Sequence, residues 1–208
     1  MIPVAKVRQP RGFGPDVETK GDNWLAANPK ASSADYPDYW RTAKNRKYVR
    51  ALRTVFHERC GYTAHLIDHG TVDHFYSKEN HRRRAYKWSN YRYAASWMNS
   101  AKKPHHDARL LDPYEVGPGW FEVDLPSMQL LLNPANVPAA MLAKAQFTLD
   151  TLPIRDDERV VDYRASCYAE YKASTDKPTA LQWLRREAPL IAEAIERWQA
   201  ANPRRPLP

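Results

Sequence analysis

Residues 71–103, TVDHFYSKENHRRRAYKWSNYRYAASWMNSAKK, are too polar for a core element and too rich in tryptophan and tyrosine for a solvated loop. An Asp-His pair, two spaced asparagines and a run of Lys and Arg share this one stretch. Gly70 before Thr71-Val72 predicts a tight turn feeding a short strand, half of a hairpin. Residues 90–101 contain no Pro or Gly and fit a single helix. Neighbouring side chains of a strand point to opposite faces, so Asp73 and His74 reach one site only from a strand end or a turn.

These residue types suit phosphodiester hydrolysis. The reaction needs a base to activate water and a cation to offset charge on the phosphate and the leaving oxygen. Magnesium takes oxygen ligands, one or two from protein, with water and phosphate completing its shell. Asp73 offers a carboxylate and Asn99 an amide oxygen. His74 is the nearby group whose ordinary pKa lies close to neutrality.

Around this stretch, residues 1–38 read as an extended arm anchored by a short apolar patch at Trp24-Leu25-Ala26-Ala27. From Tyr39 to about Cys60-Gly61 the pattern is a helix, with Arg41, Lys44, Arg46, Arg50 and Arg53 on its polar face. A loop is expected at 112–119. Two short strands broken at Pro126 follow, then helices from about 136 onward. Asp156 or Asp157 caps the second of these, and Pro189 kinks or divides the last. PRRPLP reads as a frayed basic tail. The expected organisation is one globular unit: the arm, a central domain over 39–175, and a C-terminal helix and tail over 176–208.

A formal charge of +8 over 208 residues points to a polyanionic partner, nucleic acid before an anionic membrane surface, although solubility alone also accounts for it. Cys60 and Cys167 are too few for a disulfide framework, so a reducing cytoplasm is the expected compartment. The first residues carry charges and prolines in place of a signal peptide's apolar region, and no run has the apolar length of a membrane span.

The joint pattern resembles the HNH, or ββα-metal, endonucleases in their His-Asn-Asn form. It is closest to bacterial HNH proteins of Septu-type and retron antiphage systems. The matching stretches are Cys60-Gly61-Tyr62-Thr63, Asp73-His74-Phe75-Tyr76-Ser77-Lys78, Tyr86-Lys87-Trp88-Ser89-Asn90, Met98-Asn99-Ser100-Ala101-Lys102 and Leu110-Leu111-Asp112-Pro113. With FTLDTLPIRDDERVVDYR downstream, the likeness covers roughly residues 40–170. It implies an α+β fold, a small ββα-metal hairpin-helix core embedded in a mainly helical domain. His74 would be the general base, Asp73 and Asn99 ligands of Mg2+ or Mn2+, and Asn90 a brace for the loop that holds His74. Lys102 and Lys103 would meet phosphate. DNA is the implied substrate, and an ATPase or other defence subunit the implied partner.

Thr63, Ala95 and Met98 stand where the family carries zinc-knuckle cysteines, leaving Cys60 alone. One thiolate cannot hold zinc, so no structural zinc is expected, with Tyr62, Tyr93, Trp97 and Met98 packed in its place. Ser77 replaces the family's proline.

His65 and His69 have the spacing of a metal pair on a helix, but Gly61 and Gly70 bracket too short a segment, and a surface hairpin loop is expected. His105-His106-Asp107 reads as a phosphate-proximal loop. Arg82, Arg83 and Arg84, with Lys78, are expected to contact phosphate rather than form a merely solvated face. Tyr86, Trp88, Tyr91, Tyr93 and Trp97 read as core before base-stacking platforms. The competing functional class is an HNH-derived subunit that binds nucleic acid or a partner protein without turnover.

Overall fold

The computed structural model describes residues 1–102 and 108–208. Its N-terminal segment is not an extended arm. Gly12, at φ +86°, reverses the chain. A π turn over Gly14–Glu18 then runs into helix α1, Thr19–Ala27. Phe13, Val17, Gly21 and Leu25 recur every four residues and are all buried, forming one helical stripe. Gly21 sits in that stripe because a Cβ there would lie 2.0 Å from the Tyr86 ring.

The helix expected from Tyr39 to Gly61 is also interrupted. Two 3-10 turns, Tyr39–Arg41 and Ala43–Asn45, precede α2 (Arg46–Val55). It ends at Phe56 because His57 and Glu58 take left-handed backbone conformations, φ 50° and 62°. Between Gly61 and Gly70 the expected surface loop is partly interior. His65 is buried and stacks on Tyr163 with ring centroids 4.2 Å apart, whereas His69 is exposed.

Strand β1 (Thr71–His74) pairs antiparallel with β2 (Tyr91–Ala94), Asp73 opposite Arg92 and His74 opposite Tyr91. The sequence expectation of one helix over 90–101 is corrected here. Tyr91-Arg92-Tyr93-Ala94 satisfies its backbone against β1 and buries all four residues, so tertiary pairing overrides local helix pattern. Only Ser96–Ala101 forms the helix, α3.

The remainder follows the sequence closely. Strands β3 (Phe121–Val123) and β4 (Leu130–Leu132) form a second hairpin. Helix α4 spans Ala139–Thr151, and α5 (Glu158–Ala173) is capped by Asp157, whose side chain accepts the Arg159 N–H. The last helical stretch is divided at Ala188 into α6 (Lys177–Glu187) and α7 (Pro189–Ala201). The tail is docked rather than frayed: the Tyr168 hydroxyl donates to the Pro208 oxygen at 2.7 Å and the Trp198 indole to the Pro206 carbonyl at 3.1 Å.

The fold is therefore α+β, with two small antiparallel sheets among helices. One apolar cluster joins the N-terminal helix, α2 and the β1–β2 hairpin. A second joins Cys60, Tyr62 and Met98 to β3, β4 and the C-terminal helices. Among the described residues no helix is long and apolar enough to cross a membrane.

Candidate active site

Asp73, His74, Lys78 and Asn99 line one cleft of about 400 Å³, together with Asp38, Trp40, Arg41 and Lys102. Asp73 and His74 leave β1 on opposite faces, as strand geometry requires. They share the cleft because His74 is the last residue of the strand.

The imidazole of His74 is held edge-on by two rings, Trp40 at 4.9 Å and Tyr91 at 5.0 Å between centroids. Its Nε2 lies 2.8 Å from the Ala85 carbonyl oxygen. A carbonyl only accepts, so Nε2 carries the hydrogen and the neutral ring keeps its lone pair on Nδ1. Burial, reinforced by the Lys78 charge, lowers the His74 pKa to about 3. The ring is thus neutral at pH 7, which a base requires.

Asn90 builds the loop on which this depends. Its Oδ1 accepts the Tyr76 N–H at 2.7 Å, and its Nδ2 donates to the Tyr76 and Arg84 carbonyls at 2.9 and 3.0 Å. The Phe75 N–H donates to the Asn90 carbonyl at 2.9 Å. One amide therefore ties both ends of the excursion between β1 and β2. It fixes Arg84, the residue before the carbonyl that receives His74.

Asp73 is buried and already occupied. Lys102 Nζ lies 2.8 and 2.9 Å from its two oxygens, and the Tyr62 hydroxyl donates to Oδ2 at 2.6 Å. Burial, and next the Asp73 charge, raises the Tyr62 pKa well above the ordinary value, so the phenol stays a donor. Lys102 also reaches the His74 and Phe75 carbonyls at 2.7 and 2.9 Å. This places the ammonium in a cage of four oxygens, with the side chain only 5% exposed. The expectation that Lys102 meets phosphate is corrected: its donors are spent on the protein.

The fit to a divalent ion follows from the same count. A carboxylate has about four lone-pair positions, and three are taken, leaving one on Oδ1 of Asp73. Asn99 directs its Nδ2 at the Thr71 hydroxyl and Val72 carbonyl, at 3.3 and 3.4 Å, which leaves its Oδ1 as an oxygen ligand. Among the described residues no group of three His, Cys, Asp or Glu gathers at one point. Asp73, its charge neutralised by Lys102, and Asn99 are the oxygen donors here that would hold a magnesium or manganese ion.

The expected phosphate-binding residues separate. Lys78 stays in the cleft, its ammonium 5.7 and 5.8 Å from the Trp40 and Tyr36 ring centres, and desolvation lowers its pKa. Among the described residues it has no carboxylate partner. Arg82 is corrected: its guanidinium is consumed by the Leu25, Asn28 and Ala31 carbonyls and the Tyr36 hydroxyl at 2.5–3.2 Å, clamping the N-terminal segment. Arg83 and Arg84 are exposed and line a larger cleft of about 740 Å³ that takes in Asn90 but not Asp73, His74 or Asn99. Lys103 and His105-His106-Asp107 lie outside the described residues.

Two contributors were not found from sequence. Trp40, which walls His74, comes from a 3-10 turn distant in the chain. Asp112, read only as part of a Leu-Asp-Pro match, receives the Arg92 guanidinium of β2 and accepts the Tyr114 N–H at 3.0 Å. It locks the strand opposite Asp73. The surroundings of Cys60 are apolar, with Tyr62 and Met98 in its cluster and Trp97 against it, while Tyr93 lies in the other cluster.

No protein-family model matches the chain, and comparison with curated proteins and with solved structures returned no match.

Proposed function

We propose that this chain is an HNH (ββα-metal) endonuclease hydrolysing DNA phosphodiester bonds, with His74 as general base and Asp73 and Asn99 as ligands of Mg2+ or Mn2+. The observation that supports it most is the His74–Ala85 hydrogen bond. It fixes the tautomer with Nδ1 free to take a proton, in a cleft shared with Asp73, Asn99 and Lys78. Lys78 would receive a phosphate oxygen. Asn90 acts on the reaction only through the loop it holds. A bound divalent ion would supply the charge neutralisation that the departing 3′ oxygen needs. A weak base in a desolvated pocket gains proton affinity when a phosphate anion enters beside it, because the new negative charge favours imidazolium. The resemblance extends this proposal to antiphage defence with an ATPase partner.

The test is supercoiled plasmid incubated with magnesium or manganese, with and without EDTA. Nicking that EDTA abolishes and His74→Ala reduces by at least 100-fold supports the assignment. Cutting by His74→Ala at the parent's rate refutes it. A second reading, a binding subunit without turnover, draws support from the Lys102 cage, which neutralises the carboxylate proposed as a metal ligand. Salt-sensitive DNA binding without metal-dependent cleavage at any protein concentration would favour it.

A further inference from the structure

A second groove, of about 510 Å³, adjoins the candidate site and shares Arg41 and Val72 with it. One wall is α2. Arg46, Arg50 and Arg53 lie at i, i+4 and i+7 on that helix and all line the groove, spanning roughly 10 Å at 1.5 Å per residue. The opposite wall is Asp68-His69-Gly70 and the start of β1. Four arginines against Asp68 make the groove strongly cationic.

The ordinary account of such a helix face is solvation, and two features argue against it here. The arginines line a groove instead of a convex surface, and that groove adjoins the cleft that holds His74 and Asn99, with Arg41 and Val72 lining both. Arg46 and Arg50 are exposed and have no carboxylate partner among the described residues, while Arg53 reaches Glu58 at 3.1 Å and Arg41 reaches Asp38 at 3.2 Å. Of the residues expected from sequence to bind phosphate, Arg82 is committed to the N-terminal segment and Lys102 to Asp73.

We infer that the α2 groove carries the phosphodiester backbone of duplex DNA, on the flank of the scissile phosphate, with Arg46 and Arg50 as phosphate ligands. The direction of the strand, into the His74 cleft, rests on the nuclease reading; the binding surface does not. Guanidinium groups a helical turn apart match successive phosphates, and each phosphate neutralised releases condensed counterions, making the affinity salt-dependent.

The experiment measures anisotropy of a fluorescein-labelled 25-bp DNA duplex across a KCl series, in EDTA and in a His74→Ala background. Cleavage cannot then interfere. The double variant Arg46→Gln, Arg50→Gln is compared with Arg204→Gln, Arg205→Gln, which removes the same charge from exposed positions of the tail. Thermal melts establish that both are folded. The groove variant is expected to lose at least tenfold in affinity and about 1.8 from the log–log salt slope, near 0.9 per phosphate contact, with the tail variant unchanged. A slope change below about one, or equal losses in both pairs, overturns the proposal. So does binding of the matching RNA duplex but not the DNA. DNA binding through Arg46 and Arg50 without His74-dependent plasmid cutting keeps the groove and removes the nuclease assignment. His74-dependent cutting with an intact salt slope does the reverse.

Discussion

Replacing Lys102 with methionine removes an ammonium and leaves its four oxygens behind. Two belong to Asp73, at 2.8 and 2.9 Å, and two to the His74 and Phe75 carbonyls. At an effective dielectric constant near 20, the charge pair alone is worth about 6 kcal/mol of gross attraction. Much of that offsets the desolvation of both ions, so the net loss on breaking one side is smaller, about 3–5 kcal/mol. Tyr62 still donates to Asp73, which puts the expectation near 4 kcal/mol. With a urea m-value of about 2 kcal/mol/M, the unfolding midpoint falls by about 2 M, read from tryptophan fluorescence and far-UV CD. Adding Asp73→Asn removes the stranded charge, so the double variant recovers at least about 2 kcal/mol relative to the sum of the singles. Manganese at millimolar concentration should raise the midpoint of Lys102→Met by more than that of the parent, because the variant offers an unneutralised carboxylate where the parent keeps one open lone-pair position on Asp73. A midpoint shift below about 0.5 M, or strict additivity in the double variant, would refute the account of Lys102 as the counter-ion of Asp73.

Two further outcomes follow from the same geometry. His65 and His74 have folded pKa values near 3, lowered from 6.5 chiefly by burial, so the unfolded chain takes up protons first on acidification. Their contribution is complete above about pH 6.5 and is lost toward pH 3, at about 2 kcal/mol per histidine by pH 5. His65→Phe, which keeps a ring against Tyr163, is expected to remove about 2 kcal/mol of the stability difference between pH 7 and pH 5 in urea melts. An unchanged difference would mean that His65 titrates normally. Arg82→Ala removes the clamp on Leu25, Asn28 and Ala31 and is expected to lower local stability by about 2 kcal/mol, roughly thirtyfold in opening. Limited proteolysis within residues 28–38 reads this out, and cleavage at the parent's rate would show that the guanidinium holds nothing.

Much of the C-terminal half was legible because its signals are local. Pro126 and Pro189 break elements, Asp157 caps α5, and strand alternation marks β3 and β4. The candidate site was legible as a set of residues: Asp73, His74, Lys78 and Asn99 do share a cleft. Their partners were not legible. Nothing in the pattern of Tyr91-Arg92-Tyr93-Ala94 distinguishes a helix start from a strand; the pairing with β1 decides it. The three consecutive arginines look interchangeable, yet one is spent on distant carbonyls while two remain exposed, and only the path of the N-terminal segment makes that difference. The i, i+4 stripe of Phe13, Val17, Gly21 and Leu25 was hidden by its glycine, which reads as a breaker until the Tyr86 ring is seen to need the space.

The N-terminal thirty-six residues supply no member of the Asp73–His74–Asn99 set, yet they hold its scaffold. Phe13 sits against Tyr48, Trp88 and Tyr91, Lys87 spans Glu18 and Asp22, and the Trp88 indole donates to the Val7 carbonyl. Tyr91 in turn walls the imidazole. A fragment trimmed to the span that resembles the nuclease family would keep Asp73, His74 and Asn99 and lose the buttress behind the imidazole. The smallest portable unit of this site is therefore longer than the pattern by which it is recognised, and a graft into another scaffold must bring its own replacement for that missing wall.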